Sequence, residues 1–394
     1  MATPAPSQEP PDFILAMGGP LKRAFSRSHT TIPVPQLLRR QAAISVLVCW
    51  VPLALLSLVQ GHFMGGIGLS FIRDIVTHVR FLVALPVLIL AEMIVDQRIR
   101  PIMRRFAQRH VVPPDELPKF YAAINTAVRI YNSTIAEIAL LVLVFTAGLW
   151  VWRHQIAANI ASWYASSHEG PMHLTMAGYW LAFISIPVFQ FILLRWYMQV
   201  LIWLWFLFRV SRLKLHLPPL HPDRAGGLGF IGKSSVAFAP LLFAHSALFA
   251  GQIESSILYS GRSLISSEMS IIGYVIFSVA MALAPLFAFT PQLLRAKRDG
   301  LGKYGNFASC FVMDFDAKWM QSEAQIEPTL ANDDIQSLAD LSNSFAIARE
   351  MHLVPIATDD IILLFGVTIA PFLPLLLTIM PINQLLHRAL EIVF

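Results

Sequence analysis

The chain has 394 residues, of which 56% are hydrophobic and only 13% charged, and its mean hydropathy is +0.61; these values exclude a set of soluble domains and a disordered chain and point to a membrane protein. The net charge of +5 and pI near 9.3 are explained by basic loops on one membrane face, so nucleic acid is not expected as a partner. Cys49 falls in an apolar run and Cys310 in a loop on the far side of it, so neither an intrachain disulfide nor a cysteine metal site is expected.

In chain order, residues 1–42 read as a cytoplasmic N-terminal segment. Its opening, "MATPAPSQEPPD", is too rich in proline and small residues to pack and is expected to be disordered, and "FILAMGG" is too short for a signal core. Seven apolar runs follow at 43–61, 76–95, 132–152, 177–200, 235–257, 271–290 and 361–381. About 20 apolar residues suffice to cross a hydrocarbon core of roughly 30 Å as a helix. The predicted fold is therefore all-α: a polytopic integral membrane protein of about seven transmembrane helices with cytoplasmic helical hairpins. Spans one to six occupy 43–290, and the fourth is the least sharply bounded because Trp203, Trp205 and Phe208 prolong it.

Orientation follows from the basic residues. Of the 29 Lys and Arg residues, 23 fall in the N-terminal segment and the alternate loops that share its side, 4 fall opposite and 2 lie inside spans. That bias places the N-terminus in the cytoplasm and the short tail after the seventh span, within 361–394, outside. Two cytoplasmic hairpins are expected. The first, 96–131, turns at Pro113-Pro114, with Asp115 capping a helix that runs straight into the third span. The second, 291–360, pairs an aromatic stripe (Leu301, Tyr304, Phe307, Phe311, Phe315, Trp319) with a partner stripe (Ile335, Leu338, Leu341, Phe345, Ala348), the latter capped by Asn332 or Asp333. These stripes offer surfaces for a homo-oligomer or a cytoplasmic protein partner. Every span but the third contains or borders a proline: Pro52, Pro86, Pro187, Pro240, Pro285, and Pro371 with Pro374. Such prolines free backbone carbonyls that a cavity or neighbouring helix must satisfy, although membrane helices also tolerate proline in general.

The stretch "PLHPDRAGGLGFIGKSS", 219–235, matches both G-x-G-x-x-G (Gly227, Gly229, Gly232) and G-x-x-x-x-G-K-S. A phosphate loop needs a buried strand before it and a soluble helix after it. Three prolines within 218–222 and an apolar span downstream remove that setting, so nucleotide hydrolysis is not expected. His221, Asp223, Arg224, Gly226 and Gly227 instead form a candidate cytoplasmic loop site: a structural clamp on the first reading, an anion or lipid-headgroup site on the second.

Ionisable residues inside spans are costly and are default functional candidates. Arg80 and Glu254 lie at matched depth near the outer side, and Arg195 lies near Glu92 and Glu137 on the inner side. His245 stands alone near mid-depth. These six residues form a candidate polar path, gated at an outer and an inner charge pair. The competing reading has the arginines extend to headgroups and the carboxylates sit at interfaces. In the outer loop His154, His168, Glu169 and His173 match no helical ligand spacing, and no metal or cofactor is expected. Asp359 and Asp360 are explained as charges at a helix N-terminus, although with His221 and Asp223 they would be the inner face of an enzyme.

The segments "HVRFLVALPVLILAE", "HPDRAGGLGFIG" and "DIQSLADLSNSFAIAREMHLVP" together resemble a group of bacterial multi-pass inner-membrane proteins of no assigned activity. The resemblance implies location in the bacterial inner membrane and the same topology. It transfers no catalytic or ligand residue. The expected function is channel- or transporter-like movement of an ion or small solute. The alternatives are a scaffold or signalling component docking partners through its cytoplasmic helices, and a membrane enzyme acting at lipid headgroups.

Overall fold

The computed structural model describes residues 34–65, 68–148, 150, 162–166, 173–320 and 333–378. The expectations for the N-terminal "MATPAPSQEPPD", for His154, His168 and Glu169, for Asn332 and for the C-terminal tail lie outside the described residues. The first apolar run forms α1 (Val34–Cys49) and α2 (Val51–Val59). The second forms α3 (Ile75–His78), a π turn at Val79–Ala84 and α4 (Leu85–Gln108). Then come α5 (Leu117–Tyr131) and α6 (Thr134–Leu143), which ends in a π turn at Val144–Gly148. A two-residue antiparallel ladder, β1 (Ala165–Ser166) with β2 (His173–Leu174), precedes α7 (Met176–Trp180), a π turn at Leu181–Ser185 and α8 (Ile186–Val210). The chain continues through α9 (Gly229–Ala237) and α10 (Ala239–Ser260). It goes on through α11 (Leu264–Leu283), a 3-10 turn at Ala284–Phe289 and α12 (Thr290–Trp319). Last come α13 (Asp333–Arg349) and α14 (Thr358–Ile369), which runs into a 3-10 turn at Ala370–Thr378.

Six helical stretches are long and apolar enough to cross a membrane, and the bent pair formed by α5 and α6 makes a seventh. That pair corrects the straight hairpin helix expected from sequence. The axis turns by 46° at Asn132 and Ser133, where the Ser133 hydroxyl accepts the Ala136 N–H at 3.4 Å and starts a new helix. Nor does Asp115 cap α5. The N-cap position belongs to Glu116, whose carboxylate takes Lys119 at 3.0 Å instead. The helices also outrun their apolar windows. α4 continues well past residue 95 because Ile99, Ile102, Met103 and Phe106 keep burying one face at helical spacing.

The flagged prolines sit at irregular turns. Pro52 follows the break at Trp50, Pro86 and Pro187 follow π turns, Pro240 follows the break at Phe238, and Pro285, Pro371 and Pro374 lie in 3-10 turns. Proline has no N–H to give and its ring crowds the carbonyl four residues back, so the preceding turn widens or tightens to accommodate it.

The bundle is centred on α9 and α10. Within the most apolar window of Gly229–Ser260, 61% of residues are buried, against 22% for the first and last spans. α4 packs against α1, α9 and α10; α10 packs against the 79–84 turn and α14; α8 packs against α5. Between helices in lipid the gain comes from packing and hydrogen bonding, since lipid tails are as apolar as leucine. The core extends beyond this at one end of the bundle, where Phe106, Phe120, Phe206 and Phe230 meet edge to face or tilted. That end carries the α4–α5 turn, the 211–228 loop and α13, and is called the hairpin end below.

The α11–α12 rod from Leu264 to Trp319 is 56 residues long, about 84 Å at the α-helical rise. It must therefore project beyond any bilayer, and its far half pairs with α13. Leu301, Tyr304, Phe311, Phe315 and Trp319 are half-buried in that seam, opposite Leu338, Leu341, Phe345 and Ala348. Phe307 and Ile335 depart from the expected stripes and are exposed, because the repeat passes through Ala308 and Asp334 instead. At the opposite end of the bundle Asp74 accepts Thr77 N–H at 3.1 Å, the Thr77 hydroxyl at 2.7 Å and the Trp163 indole at 3.0 Å. Thr175 donates to the Trp163 carbonyl at 2.9 Å, and Trp50 donates to His78 Nδ1 at 3.0 Å.

Candidate functional site

The loop before α9 shows what the double motif is for. α9 begins at Gly229, so Gly232, Lys233 and Ser234 lie within the helix and do not form a loop around phosphate. A Cβ on Gly232 would stand 2.5 Å from the Pro355 carbonyl oxygen, so this glycine is required by a close backbone approach. Upstream, Arg224, Gly226 and Gly227 have φ of 52°, 61° and 87°, and this left-handed turn aims alternate amides inward. Asp223 fills the resulting nest: Oδ1 accepts Ala225 N–H at 2.9 Å and Gly227 N–H at 3.0 Å, and Oδ2 accepts Gly229 N–H at 2.8 Å. A side-chain carboxylate thus occupies the position at a helix N-terminus where a nucleotide-binding loop holds phosphate. The anion site weighed from sequence on these amides is already taken by the chain itself.

Partial burial pushes the Asp223 carboxyl up, but the three N–H groups, together with His221, outweigh this and hold it below the usual carboxylate range. His221 Nδ1 lies 2.7 Å from Oδ1. The same loop also bonds to neighbouring segments at the hairpin end. Arg224 pairs with Glu350 at 3.0 Å and its carbonyl takes His352 N–H at 2.6 Å. His216 N–H reaches the Val111 carbonyl at 2.9 Å, and Gln292 donates to the carbonyls of Ser211 at 2.6 Å and Leu213 at 2.7 Å. Asp359 and Asp360 sit in the first turn of α14, and the bonds of His221 and Asp223 among the described residues run within their own loop. Beside the loop lies a cavity of about 620 Å³ between residues 212–219 and α12, with Arg212, Lys214, Arg295 and Lys303 on its walls against the single carboxylate of Asp299. Sequence reasoning missed it because its charges come from two segments roughly 80 residues apart.

Within the bundle the structure brings Arg195 and Glu137 together, Nη1 to Oε1 at 4.0 Å. Arg195 Nη2 donates to the Tyr131 hydroxyl at 3.0 Å, Gln199 donates to the same oxygen at 3.2 Å, and the guanidinium lies 5.6 Å from the Tyr131 ring centre. All four side chains are buried, and they come from α5, α6 and α8. Sequence reasoning missed both Gln199 and Tyr131; the signals were that Gln199 lies one turn beyond Arg195 and that Tyr131 continues the buried stripe Phe120, Ala123, Ile124, Ala127 of α5. Glu92 is buried on α4.

The outer pair does not form. Among the described residues no ion pair joins Arg80 to Glu254, and the Arg80 guanidinium lies 6.0 Å from the Phe189 ring centre. His245 is also apart from the Arg195 cluster. Its Nδ1 lies 2.8 Å from the Leu241 carbonyl and its Nε2 meets the Tyr197 hydroxyl. Tyr197 and Arg195 are two positions apart on α8, about 200° around the helix, so they face opposite sides. The single route drawn from sequence resolves into two polar sites separated by α8. No three His, Cys, Asp or Glu side chains converge as a metal site among the described residues. No protein-family model, curated protein or solved structure matches this chain.

Proposed function

We propose that this chain is a transporter-like protein of a bacterial inner membrane, with its N-terminus and hairpin end in the cytoplasm, and that it moves an ion or small solute. The observation that carries the reading is the cluster of Arg195, Glu137, Tyr131 and Gln199, buried between three helices at bilayer depth. Charge held there costs at least a few kcal/mol relative to an apolar side chain, and such residues concentrate on solute pathways. The cluster is buried on all sides, which favours a carrier that rearranges over an open pore. The basic cavity at the hairpin end, with four cationic side chains against Asp299, favours an anionic solute. The test is flux of chloride, phosphate and small carboxylates into liposomes holding the full chain, beside Arg195→Gln and Glu137→Gln. A flux reduced at least tenfold in both variants is expected; silence of the wild type under every anion gradient and voltage would remove the reading.

A second reading, a docking scaffold, is favoured by one observation: Phe307 and Met313 on α12 are 61% and 66% exposed outside the helix pair. It predicts a stoichiometric partner that is lost from pull-downs when both are made serine. Phe311, Phe315 and Trp319 are unsuited to that test because they face α13. An enzyme at His221 and Asp223 has less support, since both Asp223 oxygens are engaged by loop amides.

A further inference from the structure

On the face of α8 away from Arg195, a cleft opens between α8, the junction of α9 with α10, and α11. Tyr197, His245, Phe238, Tyr274, Phe277 and Met281 line it, with Pro285. All lie within spans, and the rim residues Phe277 and Met281 are 64% and 56% exposed, so the mouth faces hydrocarbon. Among the described residues no Asp, Glu, Lys or Arg lines the cleft. A charged headgroup would be stranded there, so the occupant is neutral and arrives from the bilayer.

Its hydrogen-bonding demand is readable atom by atom. The Leu241 carbonyl only accepts, so His245 carries its proton on Nδ1 and presents a bare Nε2. Nε2 therefore takes the Tyr197 proton, which leaves the Tyr197 oxygen with lone pairs to offer and no donor. Tyr274 is the converse: its hydroxyl oxygen is buried and has no hydrogen-bond partner among the described residues, so its proton is unplaced. One acceptor and one donor call for hydroxyl groups on the ligand. The walls are aromatic, which suits a flat ring, and the enclosed volume is about 240 Å³. That is below the roughly 300 to 1,000 Å³ of pockets that enclose a whole drug-sized molecule. It admits a substituted ring whose tail lies outside.

We propose that this cleft binds the head of an isoprenoid quinol, a neutral ring diol, with Tyr197 accepting from one hydroxyl, Tyr274 donating to a ring oxygen and the tail running out past Phe277 and Met281. The inference is independent of the transport reading and concerns binding alone.

The test uses the full chain in liposomes with decyl-ubiquinol carrying a photoreactive diazirine in its tail, under anaerobic reducing conditions, and maps labelled peptides by mass spectrometry. Saturable labelling within 235–245 or 274–285, displaced by unlabelled decyl-ubiquinol, is expected. Tyr274→Phe should raise the half-saturating concentration about fivefold, the effect of one hydrogen bond, and Ala282→Leu should abolish labelling by filling the cleft. Both variants are compared at equal monodispersity with wild type. If Tyr274→Phe loses its monodisperse peak, the wild-type competition series decides. Labelling that never saturates, displacement equally well by farnesol or dioleoylglycerol, or an unchanged half-saturation in a well-folded Tyr274→Phe would overturn the assignment.

Discussion

The two faces of α8 solve the same problem in opposite ways. On one, Arg195 brings a full charge into the bundle and is surrounded by Glu137, Tyr131 and Gln199. On the other, Tyr197 and His245 hold polarity without charge beside a cleft that opens on the outside of the bundle. A permanent charge inside a span calls for a buried shell that supplies a counter-charge and hydrogen-bond acceptors, whereas neutral hydrogen-bonding groups tolerate an open one. The cost of disturbing each face should differ accordingly.

The largest effect is expected at the closed face. Arg195→Leu leaves Glu137 buried without its counter-charge and should cost about 3 to 5 kcal/mol, as for other broken buried pairs. Reversible unfolding in mixed micelles measures it, and the double variant with Glu137→Leu should regain more than half. A loss under about 1 kcal/mol would show the pair to be wet, and the contrast between the faces would collapse.

Next comes Asp223, a charge held by amides in a loop. Asp223→Ala leaves three N–H groups without their acceptor and should cost about 3 kcal/mol, softened by water at the loop edge. Because the folded carboxyl lies below its usual range, its contribution is present above the unfolded value of about 3.9 and is lost as pH falls through the lower folded one. The stability gap between wild type and Asp223→Asn should thus be flat above about pH 5 and close below about pH 4. A gap that stays constant as pH falls through both values would mean the loop is held by something other than that carboxylate.

The smallest effect is expected on the open face. Tyr197→Phe removes one neutral hydrogen bond, to His245, and should cost about 1 kcal/mol. A cost as large as that of Arg195→Leu would make the cleft a structural seam and erase the distinction.

The spans were legible because bilayer thickness fixes their length and hydropathy marks them; among the described residues each of the seven apolar windows coincides for most of its length with a helical stretch or with the bent pair. The bend at Ser133 was less so, since a serine cap announces itself only where no helix overrides it. Depth could be counted along each span, which brought Arg195 to Glu137. Depth says nothing of azimuth, so Arg80 was matched to Glu254 and His245 was drawn onto the wrong side of α8. Aromatic partners such as Tyr131, Tyr197 and Tyr274 were invisible for the same reason: in an apolar run a tyrosine reads as bulk until its neighbour is known. The Asp223 nest was half visible, the glycines being legible and their occupant not.

The three π turns carry one further consequence, for the way this sequence tolerates change. A π turn holds one residue more than the α turn it replaces, so whatever lies beyond it is indexed about 100° around from an uninterrupted helix. Phe183, in the turn at Leu181–Ser185, is exposed and contributes nothing to the core. Deleting it would nonetheless swing α7 through that angle and carry Thr175 away from the Trp163 carbonyl it donates to. For this helix the number of residues is as binding as their kind, and another apolar side chain can replace Phe183 where excision cannot be absorbed.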